Sequence, residues 1–272
     1  MEHRRPGAEP AADDDRTVVE EMVEPEVPAR FRWLAGLLAA TPGGRVVDLG
    51  CGTGSSLRYV LPALRGGLAV GVDLSPEVLR EAARRPQPPG RVNLLRADLR
   101  RPLPLAATSV DRVLCHNVLE SLRDPDALVA EAWRILRPGG RLVLSHSDYD
   151  TMVFTSEDVT LTRRLTRAYS DTQQDWMDAV DGTIGRRLVE IVGRSPLEVV
   201  DVQARVNLSR TFRPGELGHD YAHNLVDVLR GSGRADPAEL DRWLAGLRRL
   251  DLRGAFLFSL NDYAVVAVRL ES

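Results

Sequence analysis

Chemistry is most legible in the stretch Val46-Val47-Asp48-Leu49-Gly50-Cys51-Gly52-Thr53-Gly54, where an apolar run ends in an acid and three glycines alternate behind it. Glycine lets the backbone turn tightly and lets a ligand approach the main chain. A helix opening behind such a loop offers its N-terminal amides and its dipole. A dinucleotide fingerprint spaces its glycines G-x-G-x-x-G, the third packing helix on strand. Here Ser55 holds that third position and the last glycine comes one residue early, at Gly54. Asp48 suits a ligand with positive charge, such as a sulfonium or an amine, which argues against a nicotinamide oxidoreductase. Further acids follow at Asp73 and Asp98, and the turn Cys115-His116-Asn117 adds a histidine and an amide.

Other groups could act on a substrate. His146, Asp148 and His116 are candidate acid–base residues, His being the side chain that titrates near neutral pH. Tyr149, Phe154 and Trp176, with Tyr169 and Met177, are candidates to line an apolar acceptor pocket. His219 and His223 bracket Tyr221 four residues apart, on one helix face. No His-Glu-x-x-His pattern accompanies them, so the expectation is a helical lid touching substrate and no metal. Two cysteines, Cys51 and Cys115, are too few for a disulfide framework or a Cys-rich zinc site.

The elements that must position these residues follow from periodicity and punctuation. Strands are predicted over 45–49, 68–72, 92–96, 111–115 and 141–145, with helices over 31–40, 55–64, 76–85 and 124–136 before or between them. Ser75 before Pro76 is a helix start. Regular alternation predicts a parallel sheet with helices on both faces, and right-handed crossovers leave few topologies. Ligands in such sheets bind beyond the carboxyl ends of the strands, where the glycine loop, Asp73, Asp98 and the His116 turn all fall. Helices are expected near 157–172, 183–192, 214–230 and 237–250, and strands near 197–207 and 255–268 as an antiparallel pair closing the sheet edge. The fold class is therefore α/β: a Rossmann-like, doubly wound, seven-stranded sheet, mostly parallel with an antiparallel edge strand, plus a helical cover.

Composition bounds the function. The chain has 272 residues with 43% hydrophobic and 28% charged, a globular profile. All 36 basic residues are Arg, so neither a P-loop lysine nor a pyridoxal Schiff base is possible. Net charge is −3, which implies no nucleic-acid-binding face. Residues 1–16 are polar and read as a disordered tail, leaving 17–272 as one domain, with a core over 30–150 and covering segments over 150–195 and 212–250. Without a signal-like or membrane-spanning run, a cytoplasmic protein is expected. Whether 17–30 close over a ligand, and the oligomeric state, stay open.

As a set, these segments resemble the class I S-adenosylmethionine-dependent methyltransferases, and most of all the small-molecule subgroup that includes ubiquinone and menaquinone methyltransferases. The resemblance covers about residues 30–150: Val46 to Gly54, Gly71-Val72-Asp73-Leu74-Ser75-Pro76, Ala97-Asp98-Leu99, Leu103-Pro104-Leu105 through Asp111, and Leu136-Arg137-Pro138-Gly139-Gly140. One position departs, Ser121 standing where many relatives carry His. The resemblance implies S-adenosylmethionine as cofactor. Asp48 with Gly50, Cys51, Gly52 and Gly54 would face its methionine part and ribose, and Asp73 both ribose hydroxyls. Asp98 with Ala97 and Leu99 would meet the adenine, Leu74 packing on its other face, and His116 or Asn117 would lie near the methionine amine. Cys51 and Cys115 would end adjacent strands, in packing roles. The implied activity is methyl transfer to an O, N or C atom of a small molecule; richness in Arg, Ala, Val and Pro with no Lys and little Ile suggests a GC-rich coding bias, which favours natural-product tailoring. The alternative is a cofactor-binding protein that uses S-adenosylmethionine without transferring its methyl group.

Overall fold

The computed structural model describes residues 28–85, 91–174, 177–178 and 182–271. The predicted tail 1–16, the segment 17–27 and Trp176 lie outside the described residues. The elements in chain order are α1 (Pro28–Leu38), β1 (Arg45–Leu49), α2 (Leu57–Leu64), β2 (Leu68–Asp73), α3 (Pro76–Arg84), β3 (Val92–Arg96) and β4 (Val110–His116). There follow a short 3-10 turn (Leu119–Ser121), α4 (Pro125–Ile135), β5 (Leu136–Phe154), α5 (Val159–Ser170) and α6 (Ile184–Gly193). β6 (Glu198–Ser209), α7 (Leu217–Gly231), α8 (Pro237–Leu252) and β7 (Phe258–Val268) complete the fold.

Seven strands form one sheet in the order β3-β2-β1-β4-β5-β7-β6. The first five are parallel. β7 runs antiparallel to both its neighbours, so the reversed strand sits beside the outermost one, β6. β1 lies in mid-sheet and is buried from Val46 to Leu49, the near-continuous apolar run a strand covered on both faces requires. The helix starts are built as their residues dictate. Ser75 accepts from the Val78 amide at 3.2 Å and Asp124 from Ala127 at 3.2 Å, each followed by Pro at the first helical position.

Three apolar clusters hold the layers. α4 and α6 pack one cluster against the sheet, through Leu128, Ile135, Leu188 and Ile191. α1 and α2 pack another, through Leu34, Leu38, Leu57 and Leu64. The third joins α5, α7 and α8 to the far ends of β5 and β7, around Leu165, Leu225, Trp243 and Phe258. The helical cover thus has a core of its own.

The main departure from expectation is β5. The sequence predicts a strand ending at 145; the strand continues to Phe154. Its partner β7 carries it, pairing from Arg141↔Val268 through His146↔Tyr263 to Phe154↔Phe258, with a register shift between Asp148 and Val153. Ser-His-Ser-Asp-Tyr-Asp does not read as a strand because polar residues rarely enter a sheet interior without partners. Here the partners come from elsewhere in the chain.

One of them is a wholly buried ion pair. Arg30 of α1 reaches Asp262 of β7 with Nε–Oδ2 2.7 Å and Nη2–Oδ1 3.2 Å, both residues 0% exposed. Asp262 also accepts from Ser147 Oγ at 2.7 Å and Asn207 Nδ2 at 2.6 Å. Burial alone would push its carboxyl up, but the charges of Arg30 and His116 and the bonds from Arg30 and Ser147 hold it below the usual carboxylate range. Removing one partner leaves a charge buried without compensation. Arg30→Met should lower stability by about 3–5 kcal/mol in chemical denaturation; a loss under about 1 kcal/mol would mean that α1 does not depend on this pair.

Candidate active site

The glycine loop leaves β1 and folds back over β2. Gly50, Gly52 and Gly54 have φ of +73°, +53° and +76°, in the left-handed region that glycine enters without penalty. At Gly50 a side chain is also sterically barred, since a Cβ would stand 2.2 Å from Val118 Cγ2. At Gly52 a Cβ would meet nothing within 4 Å, so the backbone there faces open space. The loop is pinned by the amides of Gly50 and Cys51, which donate to Val72 O at 2.8 and 2.9 Å, and by Gly52 N, which donates to Asp73 Oδ2 at 2.9 Å.

Three acids stand at the carboxyl ends of β1, β2 and β3. Asp48 is buried and accepts a short hydrogen bond from Ser56 Oγ. Burial, opposed by the Ser56 bond and reinforced by the charge of Asp73, pushes its pKa from 3.8 to about 7. Asp73 is half-buried, and its Oδ1 accepts from Ser75 N at 3.0 Å. Asp98 is held by Arg100, Nε–Oδ1 2.8 Å and backbone N–Oδ1 3.0 Å, which keeps its carboxyl below the ordinary range. Between them Leu74 is 49% exposed, an apolar side chain left open beside two acids, with Ala97 and Leu99 partly exposed. Cys51 and Cys115 are buried free thiols, pushed up by burial and then by Asp48.

Past β4 the chain turns through Asn117 at φ +51°. Asn117 bonds β5 three ways: N to Ser145 O at 3.1 Å, Oδ1 from Ser147 N at 2.8 Å, and Nδ2 to Ser147 Oγ at 3.2 Å. His116 Nδ1 lies 3.2 Å from Ser145 Oγ, its ring edge-on to Phe31 of α1. His116 is therefore turned toward β5 and α1.

His146 is fully buried and has a specific partner that the sequence reading missed, Glu120. Its Nδ1 lies 2.8 Å from Ser147 O. A carbonyl only accepts, so Nδ1 carries its hydrogen. Its Nε2 lies 2.5 Å from Glu120 Oε2. The other oxygen, Oε1, takes the Tyr149 hydroxyl at 3.4 Å. Glu120 and Tyr149 line a small cavity with Tyr169, Ser170, Gln174 and Met177. Thus His146 meets the cavity through Glu120. The signal that could have found Glu120 is a carboxylate lodged between the buried Leu119 and Leu122 at the end of a strand.

Several predicted residues stand elsewhere. Asp148 is fully buried and bound bidentately by Arg186, at 2.6 Å through each oxygen. Its carboxylate ties α6 to β5, which corrects its place among candidate bases. Phe154 sits in the third core, its ring 5.2 Å from Trp243 and 4.7 Å from Phe258, and does not line the cavity. Tyr221 is buried with its ring 6.2 Å from Tyr149, next to the cavity wall. His219 and His223 lie 4.0 Å apart against Phe212, one bonded to Asp220 and the other to the His219 carbonyl, away from the cavity-lining residues. Among the described residues no cluster of His, Cys, Asp and Glu has the geometry of a metal site.

Residues 47–144, from β1 through the parallel part of β5, match the family model described as "Methyltransferase domain". This stretch is similar to that family. Over 233 residues the chain is 33% identical to an uncharacterized 37.1 kDa protein in transposon TN4556 of Streptomyces fradiae, covering 85% of this chain and 64% of that one. Over 118 residues it is 40% identical to the trans-aconitate 2-methyltransferase of Azoarcus sp. (strain BH72), covering 42% and 45%. The chain therefore spans less than two thirds of the length of either relative. Among solved structures, the YcgJ protein of Bacillus subtilis shares the fold, with a TM-score of 0.59 at 18% identity, covering 90% of this chain and all of that one. The match to the family model stops where β5 leaves the parallel sheet, so of the residues lining the small cavity Glu120 lies inside the matched stretch and the others, from Tyr149 onward, lie beyond it.

The raised Asp48 has a consequence for stability. Its folded pKa of about 7 exceeds the ordinary 3.8, so the folded domain holds a proton that the unfolded chain releases, and stability falls as pH rises from about 4 to about 7 and levels off above. Asp48→Asn, which still accepts from Ser56, should flatten that part of the stability–pH curve, gaining on the parent as pH rises. Parallel curves for the two proteins would show that Asp48 ionises normally.

Proposed function

We propose that this protein binds S-adenosylmethionine at the carboxyl ends of β1 to β4 and transfers its methyl group to an O, N or C atom of a small molecule. The observation that carries the reading is the open backbone at Gly52, set between the buried Asp48 and the half-exposed Asp73. The residues present suit the ligand. Asp73 offers two acceptor oxygens to vicinal hydroxyls. Leu74 and Leu99 offer apolar surface, and Asp98 an acceptor, to an adenine. Asp48 offers negative charge to a cationic methionine part, and a bound cation would keep it ionised.

The sulfonium supplies an activated methyl group, so the chain's task is chiefly to position the acceptor and exclude water. We place that acceptor beyond the ends of β4 and β5, under the cover built by the chain's own second half, which suits a small compound better than a macromolecule; we place it among natural products. Buried free thiols at Cys51 and Cys115 suit a reducing compartment such as the cytoplasm.

Calorimetric titration with S-adenosylmethionine and S-adenosylhomocysteine, with NADH as control, tests the cofactor. Asp73→Ala should weaken the adenosyl ligands by about 1–3 kcal/mol. Unchanged affinity would remove Asp73 from the site, and binding of NADH in their place would overturn the assignment. Release of S-adenosylhomocysteine on addition of acceptor separates methyl transfer from mere cofactor binding.

A further inference from the structure

We infer that β6 is a dimerisation edge: its open side pairs antiparallel with β6 of a second copy of this chain, continuing one sheet into the other. β6 is the outermost strand, and among the described residues no strand pairs its outer side. An open edge presents a row of unpaired backbone N–H and C=O groups, and is ordinarily kept short, covered, or broken by Pro or charge. The opposite edge follows that rule, β3 having five residues with Asn93 and Arg96 the exposed ones. β6 does not. It has 12 residues and no Pro, and after one register shift near Val199 it pairs with β7 residue for residue from Asp201 to Ser209.

Its side chains are apolar where a solitary edge would be polar. Val202, Val206 and Leu208 are 49%, 53% and 61% exposed, and Ala204 among them is exposed too. Alternate residues of a strand share a face. Val202, Ala204, Val206 and Leu208 therefore form one stripe, opposite Val265, Tyr263, Asn261 and Ser259 of β7 in turn. Exposed Val153 of β5 extends it, since Val153 pairs with Ser259 and Ser259 with Leu208. The apolar patch thus crosses three strands and ends at the open edge.

Charge selects the occupant. β6 carries Glu198 and Asp201 in its first half and Arg205 in its second, with Arg210 one residue past its end. Among the described residues none of these four stands in an ion pair, and Arg205 Nε is buried without a hydrogen-bond partner. A parallel copy would set acid beside acid and base beside base, and like charges opposite each other destabilise a pair. An antiparallel copy sets the acidic half of each strand against the basic half of the other, a self-complementary two-fold contact. With the two-fold axis at Gln203, Asp201 of each copy stands opposite Arg205 of the other, and Val202 opposite Ala204. An axis at Ala204 would set Arg205 against Gln203 instead, and one at Arg205 would bring the two arginines face to face.

Sedimentation equilibrium of the full chain reads the association. The parent should dimerise reversibly, and Asp201→Arg and Val202→Lys should each weaken the dimer at least about tenfold. Asp201→Asn should weaken it less than Asp201→Arg. Asp201 and Val202 are exposed, so these variants should keep the parent's circular dichroism; should one fail to fold, the others decide. Gln203→Cys tests the register. Cys51 and Cys115 are buried, so the new thiol should be the one that oxidises in air, linking two chains in non-reducing electrophoresis. Directly opposite Cα atoms of an antiparallel pair are about 4.5–5.5 Å apart, within reach of a disulfide. A parent that stays monomeric at every concentration overturns the inference and leaves the face to a different protein. A dimer indifferent to both Asp201→Arg and Val202→Lys overturns it as well. A dimer whose Gln203→Cys form does not crosslink overturns the register, and with it the pairing of Asp201 with Arg205.

Discussion

Four consecutive side chains of β5, Ser145 to Asp148, are at most 1% exposed, and the rest of the site depends on how each is satisfied. A buried polar group without a partner costs more than a hydrogen bond normally returns. Each of the four is met by a different part of the chain: Ser145 by His116, His146 by Glu120, Ser147 by Asn117 and Asp262, and Asp148 by Arg186. β4, the turn after it, β7 with α1 behind it, and α6 are thereby fixed to one strand at the point where the parallel sheet ends. A polar strand segment that would be costly alone becomes the junction of the fold.

The same junction explains the division of labour in the site. Up to Ser145 the sheet is parallel, and its carboxyl edge carries the acids and the glycine loop. From His146 onward β5 is held by β7, and it carries Tyr149 to the cavity and Phe154 into the helical cover's own core. The parallel sheet and the helical cover are thus joined by two stretches of one strand. Asp48, pushed to about 7 by burial, and Glu120, set 2.5 Å from His146, are buried carboxyl groups on the two sides of that boundary.

How legible this was differs between the halves. β1 to β4 and their helices follow from apolar runs, Pro and Gly punctuation and N-caps such as Ser75, because each signal is local and agrees with its neighbours. The glycine loop was legible for the same reason, since its backbone needs are met by residue type alone. The extension of β5 was not legible, because its stability comes from Arg30, Glu120, Asn117, Arg186 and Asp262, far away in sequence. Asp148 looked like a candidate base and Phe154 like a pocket wall for the same reason: residue type shows what a side chain can do, while its neighbours decide what it does.

The sequence by itself determined the class of the fold, the placing of the acids at strand ends, and a glycine loop built on left-handed backbone. Local backbone preference and hydrophobic period are enough for these. Only the tertiary structure decided that β7 would lie between β5 and β6, that His146 would pair with Glu120 rather than face the cavity, and that Asp148 would be consumed by Arg186. These outcomes depend on long-range pairing of buried polar groups, an energy that no short window of residues contains.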